Sequence, residues 1–252
     1  MNNFIKNNYL DEIQPYIDEL ATIKNPKHTQ EIDALIKWAY ILKDIDDLKV
    51  QPKRILDLGC GQSHLPAILA NRSYVKEVVA LDNTKINEIC KKHKKVVCIL
   101  KDARTYLKTV ELEYFDLIYD ACAVIHFYAK QKPAKKNKDK IIKNIGLHYI
   151  SSKILKLIKH NGFFISVTDV FTPLSIYSIK QLNIPNSKGK ITKHDMLYVE
   201  QILDITQNAG LKLSKPFDYN TNNIFTRKHL LNVRNHKYEH HLSIANFIYQ
   251  VQ

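Results

Sequence analysis

Residues 54–63, Arg-Ile-Leu-Asp-Leu-Gly-Cys-Gly-Gln-Ser, constrain this chain more than any other stretch. They carry a short apolar run into a turn with two of the chain's six glycines, and then into the helix-like Leu-Pro-Ala-Ile-Leu-Ala. From here on, apolar runs alternate with helical stretches, the pattern of a parallel sheet covered on both faces. The runs are 54–58, 77–81, 96–100, 115–119 and 163–167. Helices are expected near 64–71, 84–94, 103–109 and 147–160, the last capped by Asn161-Gly162. A helix near 195–209 ending at Gly210, a strand at 211–213 and a terminal strand around 242–249 complete the pattern. Before it, apolar residues at three-to-four spacing predict two amphipathic helices divided at Asn25-Pro26. The expected architecture is α/β: a helical extension over residues 1–50, able to lid a pocket, followed by one sheet domain over 51–252.

Gly59 and Gly61 lack a β-carbon, so a ligand can lie directly against the turn, and free N–H groups at the next helix start favour an electron-rich partner. A dinucleotide fingerprint needs glycine or alanine at position 64, where this chain has His64, so NAD and FAD are disfavoured. The second run ends in Asp82, 21 residues beyond Gly61, where a carboxylate can accept hydrogen bonds from a ribose diol. A plain strand-end aspartate capping the next helix through Asn83-Thr84 is the other reading. The third run ends in Lys101-Asp102-Ala103 and the fourth in Asp120, which gathers acidic residues on the edge where open α/β sheets bind ligands.

The succession LDLGCG, VVALD, LKDA, FDLIYDACAVIHF and LIKHNGFFISV, over roughly residues 50–170, resembles the class I S-adenosylmethionine-dependent methyltransferases. The resemblance implies a Rossmann-like, mostly parallel seven-stranded sheet with a reversed last hairpin, and S-adenosylmethionine as cofactor. It places Asp57, Gly59, Cys60 and Gly61 along the methionine moiety, Asp82 on the ribose with Asn83 beside the adenine, Asp102 and Ala103 at the adenine edge, and Asp120 facing the methionine amine. The family's usual third glycine is Ser63 here. The phrase GQSHLPAILA resembles methyltransferases of saccharides or other small polar metabolites.

Residues 119–123, Tyr-Asp-Ala-Cys-Ala, lack both the Asn/Asp-Pro-Pro-aromatic tetrad of amine methylation on bases and the Pro-Cys of cytosine C5 chemistry. A hydroxyl acceptor instead needs its proton removed. His126 stands just beyond the fourth run as a candidate general base, with Asp120 or Asp169 to orient it. The long connection 171–194 is a candidate for substrate recognition.

The net charge, 38 − 25 = +13, raises nucleic acid as a partner. The lysines divide it. Seven lie within 130–143, near the expected ligand edge, where they can hold an anionic substrate; Lys91, Lys92, Lys94 and Lys95 precede the third run on the opposite edge. The best reading is O-methylation of a small polar molecule or saccharide. Methylation of RNA or protein, and a nucleotide-binding enzyme or module without methyl transfer, stay open. His229, His236, His240 and His241 form no ligand set, so no metal is expected. Four cysteines without a CxxC pair, and no run of about 18 apolar residues, point to a soluble cytoplasmic protein.

Overall fold

The computed structural model describes residues 8–23, 32–124, 139–171, 197–217, 224–227 and 242–252. Two helices, α1 (Asn8–Ala21) and α2 (Ile32–Asp47), precede β1 (Arg54–Leu58), α3 (Leu65–Ala70), β2 (Glu77–Asp82), α4 (Glu88–Lys92), β3 (Val96–Leu100), α5 (Ala103–Tyr106) and β4 (Phe115–Ala121). Then come α6 (Asp139–Leu157), β5 (Ile158–Phe171), β6 (Leu197–Tyr198), α7 (Val199–Asn208), β7 (Lys212–Leu213), β8 (Ile224–Arg227) and β9 (Leu242–Gln250).

Seven strands run in the order β3-β2-β1-β4-β5-β9-β7, with β6 beside β5 and β8 beside β9. The first five are mutually parallel, and β9 is antiparallel to both β5 and β7. This is the Rossmann-like sheet with a reversed closing strand that the sequence implies.

Two apolar layers sandwich the sheet. One gathers Leu56, Leu81, Ile118, Phe164 and Phe247 with Ile150 and Ile154 of α6 and Ile202 of α7. The other gathers Ile55, Leu117, Tyr119, Ile165 and Val167 under Leu35, Ile36, Ala39 and Leu42 of α2 and Ile13 and Leu20 of α1. Helices α1 and α2 thus cover one side of the sheet together with Leu65, Ile68 and Leu69 of α3.

The largest departures from the expected boundaries, in α4, α6 and β5, have local reasons. Residues 84–94 do not form one helix, because the Asn87 side chain accepts from Ile89 N and starts α4 only at Glu88. The helix expected at 147–160 starts at Asp139 and ends at Leu157. Residues 158–160 join β5 instead: Ile158 pairs with Phe115, and Asn161 takes its left-handed φ of 62° inside the strand, where the register against β4 shifts. The Asn161-Gly162 signal therefore marks a bulge rather than a helix end.

Gly162 is required there. A β-carbon would stand 2.5 Å from Ile158 Cγ2, 2.8 Å from the Asp116 carbonyl oxygen and 2.9 Å from that of Lys159. Backbone oxygens cannot swing aside, so Gly162→Ala is expected to cost about 1–3 kcal/mol, seen as a lower denaturation midpoint.

Asp44 of α2 is a second buried commitment. It is 3% exposed and accepts from Asn246 Nδ2 at 2.5 Å. Burial raises its pKa to about 7, against the partial opposition of Asn246 and Lys43. The unfolded chain releases this proton near pH 4, so between about pH 4 and 7 the folded state holds more protons and stability falls as pH rises. Asp44→Asn keeps the acceptor for Asn246 without the charge. It is expected to melt higher than wild type at pH 8 and to flatten the decline between pH 5 and 8.

Candidate active site

The turn after β1 is built from its neighbours. Gly59 N and Cys60 N both donate to the Leu81 carbonyl, at 2.8 and 3.0 Å. Gly61 N donates to Asp82 Oδ2 at 2.9 Å. Gly59 and Gly61 have φ of 87° and 51°, and a β-carbon on Gly61 would meet nothing within 4 Å. Glycine is needed here for backbone conformation and to keep one side open to a ligand. Ser63 Oγ accepts from Leu65 N at 3.0 Å and so satisfies the first N–H of α3, a use for serine where the family usually has its third glycine. Asn87 Nδ2 donates to the Gln62 carbonyl at 2.7 Å, fastening the turn from behind.

A cavity of about 360 Å3 lies against this turn. Asp57, Gly59, Cys60, Gly61 and Ala121 form its sheet side, and Ala34, Lys37 and Trp38 of α2 its cover. The extension is tied to the turn. His64 is fully buried, its Nε2–H donates to the Leu20 carbonyl at 3.0 Å, and its ring meets Trp38 edge-on with centroids 5.3 Å apart. Position 64, where a dinucleotide site needs a small residue, here ties α1 and α2 to the turn.

Electrostatics sort the acids. Tyr119 donates its hydroxyl to Asp57 Oδ2 at 2.8 Å, and burial, with help from Asp120 and Asp82, pushes Asp57 well above the usual carboxylate range. Burial beside Asp57 and Asp82 also raises the Cys60 thiol far above neutrality, so it is no thiolate nucleophile. Asp82 Oδ1 accepts from Thr84 N and Oγ1 at 2.8 and 2.7 Å. With Gly61 N on Oδ2, three of its four acceptor sites are used. One ribose hydroxyl can take the last, and the second can take the place of the Thr84 rotor.

The other expected site residues divide. Asn83 lies exposed beyond β2. Asp102 caps α5 through Arg104 N and Thr105 N, and the Arg104 guanidinium beside it holds its carboxyl below the usual range. Ala103 is 8% exposed within the α6-side core. Neither it nor Asp102 lines the cavity.

Asp120 is fully buried. Its Oδ1 accepts from Ala123 N and Val124 N and its Oδ2 from Ser166 Oγ, while burial raises its pKa to about 6. It thus holds the turn after β4 from inside the sheet and does not line the cavity. His126 and the connection 172–194 lie outside the described residues.

Sequence reasoning missed Lys37. Its Nζ stands 2.8 Å from Asp169 Oδ2, and Cys122 Sγ donates to the same oxygen at 3.2 Å. The one available signal was a lysine amid the apolar run Leu35-Ile36-Lys37-Trp38-Ala39.

A family model described as a methyltransferase domain matches residues 49–198, more than half of the chain. The chain belongs to the methyltransferase family. The sheet order and the glycine turn joined to Asp82 are those of its S-adenosylmethionine-dependent class I members, and the open side of Gly61 beside Asp82 fits that cofactor. No curated protein matches the sequence.

Among solved structures, this methyltransferase is similar to the YcgJ protein of Bacillus subtilis, with 12% identity over 86% of this chain and 98% of that one, TM-score 0.58. It also resembles 1,6-didemethyltoxoflavin-N1-methyltransferase of Burkholderia thailandensis with bound 1,6-didemethyltoxoflavin and S-adenosylhomocysteine, with 14% identity over 97% and 87%, TM-score 0.53. A third, with 12% identity over 97% and 94% and TM-score 0.52, is the [4+2]-cyclase SpnF. The fold is common to all three, and the reaction is a matter for the site.

Among the described residues no cluster of three or more His, Cys, Asp or Glu is placed to hold a metal ion. No described helix is long and apolar enough to cross a membrane.

Proposed function

We propose that the methyltransferase transfers a methyl group from S-adenosylmethionine to a hydroxyl of a small polar molecule or saccharide. The observation that carries this reading is the Gly61 N to Asp82 contact, which joins the glycine turn and the strand-two acid into one site beside a cavity covered by α2. The neighbour from Burkholderia thailandensis, which holds a small molecule together with S-adenosylhomocysteine, supports an acceptor of that size.

When bound, the cofactor supplies an electrophilic methyl group on a sulfonium. Asp82 is assigned to its ribose, Asn83, Asp102 and Ala103 to the adenine edge, and Asp57 with Gly59, Cys60 and Gly61 to the methionine end. Asp120 is a positioning residue that fixes the turn after β4. His126 is the sequence's candidate for taking the acceptor's proton.

RNA is the second reading, favoured by the +13 charge. Against it, two lysines of the cluster before β3 are already engaged: Lys91 with Glu88 at 2.8 Å and Lys95 with the Arg72 carbonyl at 3.4 Å. Transfer of labelled methyl from S-adenosylmethionine to fractionated cell extract separates the readings. Label is expected in the small-molecule fraction. Label in RNA, with affinity falling steeply with salt in a gel-shift series, establishes the second reading in its place.

A further inference from the structure

Lys37, Cys122 and Asp169 come from three elements and meet at the carboxyl edge of the sheet. Lys37 lines the cavity, and its side chain is 12% exposed. Cys122 follows the cavity residue Ala121 and has a left-handed φ of 66°, a costly conformation for a residue with a β-carbon. The Thr168 hydroxyl donates to its Sγ at 3.7 Å. On β5, Asp169 stands two and four residues beyond Val167 and Ile165, both in the α2-side core, and so shares their face of the sheet.

Two donors, Lys37 Nζ and Cys122 Sγ, converge on Asp169 Oδ2. Among the described residues none reaches Oδ1, and the side chain is 26% exposed. Burial works against the Lys37 charge, but Cys122 and Asp169 outweigh it and raise its pKa, so the cation persists. Asp169 does not itself line the cavity but is paired with Lys37, which does, and a part-exposed carboxylate with one oxygen clamped and the other open can accept a hydrogen bond from a ligand that reaches past Lys37. The Lys37 ammonium and the Asp169 carboxylate cancel in net charge, so what the open oxygen recognises is a neutral donor such as a hydroxyl.

We infer that Lys37, Cys122 and Asp169 form the acceptor subsite, that it takes a molecule presenting a neutral hydroxyl, and that Asp169 Oδ1 receives that hydroxyl's proton in place of His126. Lys37 is the positioning residue that holds the carboxylate. In the transfer the hydroxyl oxygen forms the bond to the methyl carbon, and the carbon–sulfur bond breaks with its electron pair remaining on sulfur. The proton passes to Asp169 Oδ1 and then to solvent. This assignment rests on the methyltransferase reading above and names the acceptor class of the same site.

The test compares wild type, Asp169→Asn, the charge-balanced double variant Lys37→Met/Asp169→Asn, and His126→Ala. It reads labelled methyl transfer to the small-molecule fraction of extract from pH 6 to 9, and S-adenosylhomocysteine affinity by calorimetry. Asp169→Asn and the double variant are expected to lose about 100-fold in transfer while keeping affinity within about threefold of wild type. The residual rate should climb with pH as the acceptor hydroxyl ionises unaided, with Lys37, Cys122 and the buried Asp120 the other titratable groups around it. His126→Ala is the rival variant, and it is expected to lose less transfer than Asp169→Asn does.

Transfer by Asp169→Asn at the wild-type rate, or a collapse of transfer in His126→Ala alone, overturns the subsite. Equal loss of S-adenosylhomocysteine affinity and transfer in Asp169→Asn and the double variant also overturns it, by giving Asp169 to the cofactor or the fold. Absence of any transfer by wild type overturns the functional reading first, and the subsite with it.

Discussion

Asp82→Ala is expected to weaken S-adenosylmethionine binding by about 100-fold or more. The carboxylate does two things that alanine cannot. It accepts from Gly61 N at 2.9 Å, which orients the glycine turn, and it leaves one acceptor site for a ribose hydroxyl, with a second released when the Thr84 hydroxyl turns away. Hydrogen bonds to a charged group contribute about 1.5–3 kcal/mol each, so losing those made to the ligand accounts for an effect of this size without loss of the fold. A calorimetric titration checks it, with unchanged thermal unfolding as the control that the variant is intact. Affinity within a few-fold of wild type shows instead that Asp82 is a cap for Thr84 and no more.

Removal of residues 1–47 is expected to abolish folding rather than open a lid. In α2, Leu35, Ile36, Trp38, Ala39, Tyr40, Ile41, Leu42 and Ile45 are each no more than 6% exposed. Ile13 and Leu20 of α1 are fully buried beside them. Burying one large apolar side chain is worth about 1.5–3 kcal/mol, and a domain's whole margin is about 5–15 kcal/mol. Without α1 and α2, of the described helices only α3 remains to cover the side of the sheet that carries Ile55, Leu117, Tyr119, Ile165 and Val167. The shortened chain should show no cooperative melting transition. A fragment that still melts cooperatively and binds S-adenosylmethionine makes the extension a dispensable appendage.

What was legible in the sequence and what was not follow from the range of the interactions. Strand, glycine turn and helix at 54–70 are local, and β1 has the expected boundaries because an apolar run ending in Gly59 leaves few alternatives. Asp82 was legible because two parallel neighbours, β1 and β2, set its distance from the turn. The position of Asp120 within its strand was also plain. That its oxygens are taken by Ala123 N, Val124 N and Ser166 was not, because this depends on how the chain turns after β4 and on the register with β5. Lys37 and Asp169 are 132 residues apart, and only the packing of α2 across the sheet brings them together. His64 read as an obstacle to a dinucleotide motif, and its positive use, holding Leu20 and Trp38, is again a tertiary contact. Asn161 is left-handed, as Asn-Gly suggests, but the same local conformation serves a strand bulge as well as a helix end, and only the pairing with β4 decides between them.

The most direct test of the account is calorimetric titration of the wild-type protein with S-adenosylhomocysteine and, separately, with NAD. Saturable one-to-one binding of S-adenosylhomocysteine, with no measurable heat from NAD, is the result the glycine turn, Asp82 and the pinned His64 predict. Tight binding of NAD with none of S-adenosylhomocysteine contradicts it.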